Sequence, residues 1–539
     1  MPIIRIDRRE IEVDKGTTIM QAADKLGIFI PRYCYHPGLS IAGCCRICAV
    51  EIEDSPKLVT ACSTYVEEGM VVRTDTERVK KARHTVMEFL LLNHPLDCPV
   101  CDQAGECELQ DYSYEYGFAE SRFREQKIKQ RKKDVGRGLL LYADRCIMCT
   151  RCVRFVQEVS GYDQIGVFNR GSHSEIDVFP GIHIDDLLAG NIADICPVGA
   201  FLSKDFLFKR RVWELKSTKS VCPACSVGCN VLLDHADGKI RRLRPRYNPE
   251  VNGYWMCDTG RMDYRLVGSA DRLRQPAVRT DEALDESPWE EALAEASTRL
   301  KDIIRRSGAA SVGFVVSSDA TNEEAYAFAK MAAEMGAIEN LRLLQGERAD
   351  RIEFKGGFVI ESDRSPNERG VRDVISHFLP SGVSADLTDM RSLAGKKALY
   401  ALCGPHSGKE HVDSLATMAV DVELSIVQAT LPSALTDAAT IVLPAAAHAE
   451  KTGTMTNSRG IIQLVHPAFE PPGEATPDLV IILGICNAMG IALGFRTAVE
   501  AAEEMTRRIG GYAAHGQIGD MGWKLPSTES SRSAKNGES

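Results

Sequence analysis

Several features that would assign the chain to a common class are missing from its sequence. Residues 1–13 contain neither a basic stretch nor the apolar core of a secretory signal, so we expect none. The longest apolar run, residues 479–495, is short for a bilayer and contains several glycines, which predicts a buried helix instead. A net charge of −10 argues against general nucleic-acid binding. We therefore expect membrane contact only through a partner.

Nucleotide-binding motifs are missing as well. The sequence has no G-x-G-x-x-G, and residues 403–410, CGPHSGKE, fall short of a P-loop because Glu410 stands where Ser or Thr is needed. We interpret this stretch as a turn between a strand and a helix. No pairing of a nucleophile with a base stands out, so we expect no catalytic residue and no NAD or flavin site. Three isolated histidines are expected at the surface or hydrogen-bonded, not as ligands: His84, His406 and His411.

Cysteine is abundant at one end of the chain and scarce at the other. Of the 18 cysteines, sixteen precede residue 258, and only Cys403 and Cys486 follow. Repeated C-x-x-C pairs in a chain without a secretory signal favour metal binding over disulfides. With 539 residues, 44% hydrophobic and 26% charged, the chain is predicted to be globular, with three or four domains.

The first cysteine set consists of Cys34, Cys45, Cys48 and Cys62. A long loop, a C-x-x-C pair and a distant fourth cysteine are typical of a [2Fe–2S] cluster on a ferredoxin-like fold. Cys44 offers a second register, but the C-x-x-C spacing favours Cys45 with Cys48 and leaves Cys44 as a spare, buried thiol. Zinc is the weaker alternative, because zinc sites usually present two close pairs.

The second set places a histidine before three cysteines: His94, Cys98, Cys101 and Cys107. We expect His94 at the C-terminal end of a helix that Pro95 stops. Three thiolates and one imidazole suit either zinc or an iron–sulfur cluster, so this set is ambiguous when it is taken alone.

The third set, Cys146, Cys149 and Cys152 with the distant Cys196, is typical of a [4Fe–4S] cluster. Three thiolates at this spacing wrap three corners of a cubane, and the fourth ligand of two-cluster ferredoxins comes from a Cys-Pro pair. The triad of a second cluster is missing, so the motif predicts a ferredoxin that has lost one of two clusters. The positions of that triad hold Asp186, Ala189 and Ile192.

The fourth set, Cys222, Cys225, Cys229 and Cys257, again predicts a [4Fe–4S] cluster. The four sets together use fifteen cysteines and one histidine. Four sets in tandem make iron–sulfur binding a stronger interpretation than any single motif does. The same context favours iron–sulfur over zinc at the second set.

Local patterns predict the elements that present the first two sets. Alternating apolar residues on both sides of Asp7 predict a β-hairpin, and residues 17–28 predict a short helix capped by Thr17 or Thr18. Residues 77–93 predict a longer helix. Its expected buried face consists of Val79, Ala82, Val86 and Leu90.

A basic segment, residues 121–137, carries eight Lys and Arg residues against two acids. It can be a solvated linker, which is the usual meaning of such a run. It can equally be a basic collar that offsets negatively charged clusters or docks a partner. The sequence leaves both interpretations open.

From about residue 285 the pattern changes to alternating helices and continuous apolar strands. Ser287 and Glu290 predict a capping box with Pro288 at the first helical position. A second helix is expected to open near Thr321 and to close at Gly336. The alternation implies a parallel sheet covered on both faces. The stripe of the first helix is expected in the core: Trp289, Leu293, Ala296, Leu300 and Ile303.

In this order the four sets resemble those of one family, the large iron–sulfur subunit of respiratory complex I, NADH:quinone oxidoreductase. Its bacterial members are called the G subunit and its mitochondrial members the 75-kDa subunit. The resemblance covers residues 1–270, through YCYHPGLSIAGCCRICAVEIE, NHPLDCPVCDQAGECELQD, DRCIMCTRCVRF and ICPVGA. The remainder is similar, more loosely, to the molybdopterin-oxidoreductase superfamily, through SPWEEALAEA, TNEEAYAFAK and ATIVLPAAAHAEKTGTMTNSRG.

The resemblance implies an electron relay with one [2Fe–2S] and three [4Fe–4S] clusters and without molybdenum or tungsten. Electrons from NADH would enter through a flavin in a partner subunit, cross the first three centres and leave toward quinone. The fourth centre would lie off that line. The implied partners are the flavin/NADH-binding subunit and other peripheral-arm subunits of the complex. The implied location is peripheral, on the cytoplasmic side of the bacterial inner membrane.

Motifs and resemblance together predict a multidomain chain that combines α+β and α/β parts. The expected segments are 1–78, a [2Fe–2S] ferredoxin-like (β-grasp) domain; 79–120, a His/Cys [4Fe–4S] domain; 121–215, a degenerate two-cluster ferredoxin-like [4Fe–4S] domain; 216–272, a molybdopterin-oxidoreductase-type [4Fe–4S] domain; 273–525, a shortened molybdopterin-oxidoreductase-like α/β domain; and 526–539, a disordered tail.

Other redox enzymes resemble the same modules. A molybdenum or tungsten formate dehydrogenase is longer after the fourth set and needs a metal-binding cysteine beside a histidine. Cys403 is the only candidate before Cys486, and we expect it to be a buried structural residue. An iron hydrogenase would need cysteine clusters in the C-terminal half. A subunit of an NAD-linked formate dehydrogenase or hydrogenase complex, and a zinc-stapled scaffold, stay as alternatives.

Overall fold

The computed structural model of the protein describes residues 1–280, 283–380 and 386–525. The chain folds into two compact units. The first comprises Met1–Leu215 with Phe354–Phe358, and the second comprises Lys216–Glu353 with the chain from Val359 onward. The tail that we expect to be disordered, residues 526–539, lies outside the described residues.

The first unit is built from short strands and helices. Its strands are β1 Ile3–Ile6, β2 Arg9–Glu12, β3 Ala49–Ile52, β4 Val59–Thr60, β5 Val71–Arg73, β6 Lys132–Asp134, β7 Leu139–Tyr142, β8 Ile165–Phe168, β9 Glu175–Val178 and β10 Phe201–Ser203. Its helices are α1 Ile19–Lys25, α2 Glu77–Leu91, α3 Glu108–Tyr116, α4 Arg151–Phe155 and α5 Asn191–Ile195.

The opening sheet has the strand order β2-β1-β5-β3-β4. Strands β1 and β2 form the predicted hairpin, and Asp7 in its turn has a φ of 50°. Alternation along β1 places Ile4 and Ile6 in the core, where they pack with residues of α1. Helix α1 begins after Thr18, whose side chain accepts from the backbone N–H of Gln21 in a reciprocal capping box. The hairpin and the capped helix confirm the sequence-based expectation.

The buried face of α2 differs from the predicted one. Val79 is buried as expected, but the other buried residues are Arg83 and Met87. The Arg83 guanidinium lies 5.2 Å from the centre of the Tyr116 ring, and the Tyr33 hydroxyl lies 3.2 Å from the Met87 sulfur. An apolar pattern cannot anticipate a buried arginine that is held by partners from other segments. The remaining predicted residues are half-buried: Ala82, Val86 and Leu90.

A small sheet, β10-β7-β6, supports the third cysteine set. Strands β7 and β10 are antiparallel, and the backbone N–H of Tyr142 donates to the carbonyl of Ala200 at 2.8 Å. Because Cys146 follows β7 and Cys196 precedes β10, this pairing brings the distant fourth cysteine beside the triad. Strands β8 and β9 form a separate hairpin, which lies between Cys146 and Cys196 in the sequence.

The second unit contains the remaining elements. Its strands are β11 Lys216–Val221, β12 Asn230–Ala236, β13 Lys239–Pro245, β14 Ala277–Arg279, β15 Leu284–Glu286, β16 Val312–Ser317, β17 Leu341–Leu344, β18 Ile352–Glu353, β19 Val359–Ile360, β20 Ala398–Cys403, β21 Leu424–Ala429, β22 Ile441–Pro444, β23 Gly453–Thr456, β24 Ile461–Val465 and β25 Trp523–Lys524. Its helices are α6 Asp258–Met262, α7 Trp289–Ser307, α8 Asn322–Glu334, α9 Glu368–Phe378, α10 Lys409–Asp421, α11 Ala434–Ala438, α12 Asp478–Met489 and α13 Ala498–Arg508.

The large sheet of this unit has the order β15-β14-β22-β21-β20-β16-β17. Strands β22, β21, β20, β16 and β17 are parallel, as predicted, and helices cover both of their faces. Phe314 pairs with Tyr400 on one face of the sheet, and the adjacent pair of Val315 and Ala401 lies on the other. The β14–β15 hairpin adds an antiparallel edge because it precedes the alternation of strands and crossover helices.

The two predicted helix starts have different outcomes. Thr321 caps α8 in a reciprocal box with Glu324, as expected. The capping box at Ser287 is wrong: α7 begins one residue later, with Pro288 at the cap and no side-chain cap bond. The Ser287 hydroxyl points toward the Pro288 carbonyl, 3.5 Å away, and so accepts nothing from the helix.

The apolar run 479–495 forms α12 and the loop that follows it, and Gly490 ends the helix with a φ of 80°. Most of its large side chains are buried in the core, as predicted. In the described part of the chain, no helix is both long and apolar enough to cross a membrane.

Candidate metal centres

The thiols of the first set lie within hydrogen-bond reach of one another. Hydrogen bonds from the thiols of Cys44, Cys45 and Cys62 hold the pKa of Cys34 well below its ordinary value. A hydrogen bond with Cys62 lowers the pKa of Cys48 to about 7. The hydrogen bonds among these thiols therefore favour the ionised form of some of them. Thiolates in close contact are the donors that a two-iron cluster requires.

Cys44 does not lie where the sequence suggests. It is exposed and not buried, and its sulfur lies 3.8 Å from the carbonyl oxygens of both Met148 and Cys149. The loop that presents Cys45 to the other thiols places Cys44 between the Cys34 thiol and the loop of the third set. Gly43 and Arg46 on either side both have a φ of 62°, which permits this sharp turn.

The second set surrounds the start of α3. Cys107 is the residue that caps α3, and Cys98 begins a short 3-10 turn, Cys98–Val100. Cys101 and Cys107 are buried, whereas Cys98 is exposed. Burial raises the pKa of Cys107 to about 12. The buried thiols are thus protonated when nothing is bound, and a metal must displace their protons.

His94 follows the end of α2 by three residues. Burial lowers its pKa to about 4, and the charges of Arg145 and Lys127 act in the same direction. The imidazole is therefore neutral at physiological pH, the form that binds metals. Its Nδ1 atom is buried and has no hydrogen-bond partner. A buried nitrogen without a partner is costly, and a metal bond would satisfy it.

Basic residues hold the backbone around the second set. Lys127 donates to the carbonyls of Leu91 and Leu92, at 2.7 and 3.0 Å, and so caps the helix before His94. Arg211 donates to the carbonyl of Cys101 at 2.7 Å. Arg145 is buried and pairs with Asp97 at 2.8 Å. Lys127 belongs to the basic segment, most of whose other residues are exposed.

The four thiols of the third set line a single cavity. It encloses about 310 Å³, its opening to solvent included, and its apolar lining includes Ile176 and Phe201. Burial raises the pKa of both Cys146 and Cys149 to about 12. Met148 and Thr150, between the cysteines, have φ values of 54° and 58°. Such left-handed backbone in non-glycine residues costs energy and persists where a loop must wrap a ligand.

The place of a second ferredoxin cluster is filled by ordinary packing. Ala189 and Ile192 are buried in the core, and the Asp186 carboxylate accepts from the backbone N–H of Leu188 at 2.9 Å. These side chains are not metal donors of the kind an iron–sulfur cluster needs. That the motif holds one cluster and not two stays a prediction.

The fourth set lies at one end of the β11-β12-β13 sheet. The N–H of Cys222 donates to the carbonyl of Cys229 at 2.8 Å, which closes the loop between β11 and β12. Cys257 caps α6, and burial raises its pKa to about 11. All four thiols are buried and act on one another as like charges. The Arg364 guanidinium offsets the charge of Cys225, and one of its buried nitrogens has no hydrogen-bond partner.

Two glycines leave room beside the sulfurs. A Cβ atom on Gly199 would lie 2.2 Å from the Cys101 sulfur, and one on Gly260 would lie 2.6 Å from the Cys222 sulfur. Gly199 follows Cys196 in the chain and therefore joins the third set to the second. No local pattern in the sequence singles out these glycines or the buried arginines, because their neighbours are distant in the chain.

The donors in the four sets fit iron–sulfur clusters: thiols grouped in buried sites, an imidazole nitrogen without a partner, and glycines that keep space open. No group of three or more His, Cys, Asp and Glu side chains in the described ranges could hold a single metal ion. A cluster differs from a single ion because its ligands bind separate iron atoms.

A second cavity lies at the carboxyl end of the parallel sheet, where β16 and β20 diverge. It encloses about 460 Å³, its opening included, and its lining includes Pro223, Cys403, His448 and Lys451. The point where strand order reverses is the usual ligand site of such sheets. Burial raises the pKa of Cys403 to about 12, so its thiol is neutral.

His406 lies in the same cavity and is held by two carboxylates. Its Nδ1 lies 2.6 Å from Asp319, and its Nε2 lies 2.8 Å from Asp263. The expectation of a hydrogen-bonded histidine is therefore confirmed here. His84 instead stacks on Phe118, with ring centres 5.0 Å apart. The 403–410 stretch is the predicted turn, because β20 ends at Cys403 and α10 begins at Lys409.

Family models match most of the described chain, up to residue 488, in sequence order. They are the 2Fe-2S iron-sulfur cluster binding domain at 3–77, the NADH-ubiquinone oxidoreductase-G iron-sulfur binding region at 83–122, the ferredoxin-like domain of NADH-quinone oxidoreductase subunit 3 at 138–202, the molybdopterin oxidoreductase Fe4S4 domain at 215–269 and molybdopterin oxidoreductase at 272–355 and 376–488. The matches confirm the predicted fold class, with 2Fe-2S and 4Fe-4S binding domains.

Curated relatives carry a consistent description. The G subunit of NADH-quinone oxidoreductase from Rickettsia felis is 44% identical over 317 residues, which is 59% of this chain and 47% of the relative. The same protein from Rickettsia bellii is 45% identical over 300 residues, 56% of this chain and 44% of the relative. The chain thus spans about half the length of the curated relatives it matches.

One solved structure is also similar in part. It is the crystal structure of an NAD⁺-reducing [NiFe]-hydrogenase in the H₂-reduced state. It is 30% identical, with a TM-score of 0.37, and the match covers 39% of this chain and 91% of that chain.

Proposed function

Because the chain belongs to the family of G subunits of NADH-quinone oxidoreductases, we propose that it is the iron–sulfur relay in the peripheral arm of such a complex. It receives electrons from a partner subunit that binds flavin and oxidises NADH, and it passes them toward quinone. The observation that carries this proposal is the presence of four separate thiol-rich sets in one chain, in the order of the family models.

The proposed ligands are those of the four sets. They are Cys34, Cys45, Cys48 and Cys62 for a [2Fe–2S] cluster, and three [4Fe–4S] groups: His94, Cys98, Cys101 and Cys107; Cys146, Cys149, Cys152 and Cys196; Cys222, Cys225, Cys229 and Cys257. When bound, the clusters supply one-electron carriers. The residues of the chain hold them, exclude water from them and set their spacing.

We propose that the first, third and second sets lie along the path in that order. The contact of Cys44 with the carbonyls of Met148 and Cys149 supports a close approach of the first and third sets. The position of Gly199 beside the Cys101 sulfur supports the approach of the third and second sets. The second set then lies at the exit, where Cys98 is exposed.

The molybdopterin-like region is proposed as a packing and docking surface without molybdenum or tungsten. Cys403 is the one cysteine among the described residues that line the cavity, and no further set of cysteines accompanies it in this region of the sequence. We also propose the six predicted segments as domains, and a peripheral location on the cytoplasmic side of the inner membrane.

The test is purification of the chain with its native partners, followed by metal analysis and identification of those partners. We expect about fourteen iron atoms per chain, with matching acid-labile sulfide, since one two-iron and three four-iron clusters are proposed. A content of about ten iron atoms per chain would mean that one [4Fe–4S] cluster is absent, most plainly that of the fourth set. Zinc in a one-to-one ratio with the chain would overturn the assignment of an iron–sulfur cluster to the second set. NADH should reduce the clusters, as followed by EPR, only when a flavin subunit is present.

A further inference from the structure

Two buried arginines lie among three of the four ligand sets. Arg151 and Arg154 both belong to α4, and Arg151 lies within the C-x-x-C-x-x-C motif, whereas Arg154 follows its last cysteine by two residues. Their relative exposures are only 6% and 8%. Burying a guanidinium costs several kcal/mol unless its charge is offset and its N–H groups are bonded, so each arginine must have a compensating partner.

Arg154 links the backbone of the first set to that of the third. Its Nη2 donates to the carbonyl of Cys34 at 2.6 Å and to the carbonyl of Cys149 at 3.2 Å. Both acceptors belong to proposed ligand residues. Its Nη1 donates to the carbonyl of Ser40, farther along the first loop. The planar guanidinium fork of Arg154 therefore fixes the separation of the two ligand loops.

Arg151 makes a similar set of contacts beside the same loops. Its Nη2 donates to the carbonyl of Tyr35 at 2.8 Å, and its Nη1 donates to the carbonyl of Ile195 at 3.1 Å. Its guanidinium also lies 3.5 Å from the Glu108 carboxylate. These three residues are the chain neighbours of Cys34, Cys196 and Cys107, one from each set.

The two arginines differ in their counter-charge. Arg151 has the Glu108 carboxylate, whereas Arg154 forms no ion pair with any residue that the structure describes. Its bonded acceptors are carbonyls and the Thr150 hydroxyl. Carbonyls satisfy the N–H groups but do not neutralise the charge. The nearby negative charges that can do so are the Glu158 carboxylate, which accepts from the backbone N–H of the same Ser40, and the ligand thiolates of the adjacent sets.

We propose that Arg154 is a positioning residue for electron transfer between the first and third sets, with Arg151 as its support. The fork sets the distance between the two ligand loops, and the fixed positive charge favours the reduced, more negative state of the centre beside it. Lysine would keep the charge but cannot span three carbonyls. Glutamine would keep some hydrogen bonds but lose the charge. This role rests on the proposed function.

The experiment uses the complex purified with its partners and compares wild type, Arg154→Lys and Arg154→Gln. Potentiometric EPR measures the midpoint of each centre, and EPR power saturation measures the magnetic interaction between the first and third centres. In Arg154→Gln, we expect the reduced-to-oxidised ratio of the third centre at a fixed potential to fall about tenfold, equivalent to about 59 mV for a one-electron couple.

In Arg154→Lys, we expect the midpoint to stay near that of wild type and the interaction between the centres to weaken, because the fork is lost. Arg137→Gln is the matched surface control and should leave both measurements unchanged, since Arg137 is exposed. If Arg154→Gln assembles no third centre, assembly in Arg154→Lys with a weakened interaction still supports the proposal.

Two results would overturn the proposal. The first is wild-type midpoints and wild-type interaction in both variants. The second is loss of the third centre in both, because Arg154 would then serve assembly alone. Failure of the proposed function looks different: the wild-type complex itself would then contain no iron–sulfur EPR signals that NADH can reduce.

Discussion

At the scale of single residues, the informative features are donors that lack an ordinary partner. His94 is the clearest example, because its neutral imidazole has a buried Nδ1 without a hydrogen bond. Burial lowers the pKa of the ring, and the charges of Arg145 and Lys127 lower it further. A histidine in such surroundings is costly to bury unless a metal or a donor completes it.

The His94 ligand is tested by His94→Cys and His94→Ala. A thiolate in place of a neutral imidazole adds one negative charge to the cluster, so the midpoint in His94→Cys should fall, provided the cluster assembles. His94→Ala should lose occupancy or convert the site to a three-iron form. Potentiometric EPR measures both. His84→Ala, on the same α2 helix, is the control, and a midpoint in His94→Cys equal to that of wild type would rule out ligation by His94.

At the scale of elements, the parallel sheet carries a cavity that is lined, among the described residues, by a single cysteine. The cavity lies at the carboxyl ends of β16 and β20, where such folds bind small molecules. Cys403 is buried at the end of β20, and burial raises its pKa to about 12. The neighbouring His406 is already held between Asp319 and Asp263. Of the described side chains around this cavity, Cys403 is thus protonated when nothing is bound, and His406 is already hydrogen-bonded at both ring nitrogens.

Cys403→Ala tests this interpretation of the α/β region. Because the thiol is neutral and is not a proposed ligand, we expect iron content and NADH-driven reduction of the clusters to stay at wild-type values. Cys225→Ala is the matched control and should lose about four iron atoms per chain. Elemental analysis by mass spectrometry gives both answers. About one molybdenum or tungsten per wild-type chain, lost in Cys403→Ala, would contradict the proposal.

At the scale of the whole molecule, the ligand sets join segments that are far apart in sequence. The first set combines Cys34 with the distant Cys62. In the third set, Cys196 is separated from the last cysteine of the triad by 43 residues. Most of the thiols are buried, and burial raises the pKa values of Cys107, Cys146 and Cys149 to about 12. Because only the folded chain brings these ligands together, a bound cluster adds to the free energy of unfolding.

Removal of the clusters should accordingly lower the unfolding temperature. We expect the chain treated anaerobically with an iron chelator to unfold at a lower temperature than the same sample before treatment, at equal scan rate. Reconstitution with iron and sulfide should restore the original temperature together with the visible absorbance. Differential scanning calorimetry makes the measurement. An unchanged transition after complete loss of iron would show that the clusters do not support the fold.

The sequence by itself determined much of this protein. Ligand spacing is a local property, so the four sets could be named from the chain alone, and so could the capped starts of α1 and α8. The hairpin of β1 and β2 and the parallel strands followed from apolar periodicity. Most of these depend on residues that are close together in the chain, whereas the distant Cys196 was named from the Cys-Pro pair of two-cluster ferredoxins.

The tertiary structure decided the features that depend on distant residues. Arg83 takes a buried place on α2 because Tyr116 and Ala49 meet it there. Cys44 faces the carbonyls of Met148 and Cys149, more than a hundred residues away. No local pattern in the sequence distinguishes Arg154 from other arginines, and it links two ligand loops only when the chain folds. Side-chain partners are set by packing across segments, and no local pattern records it.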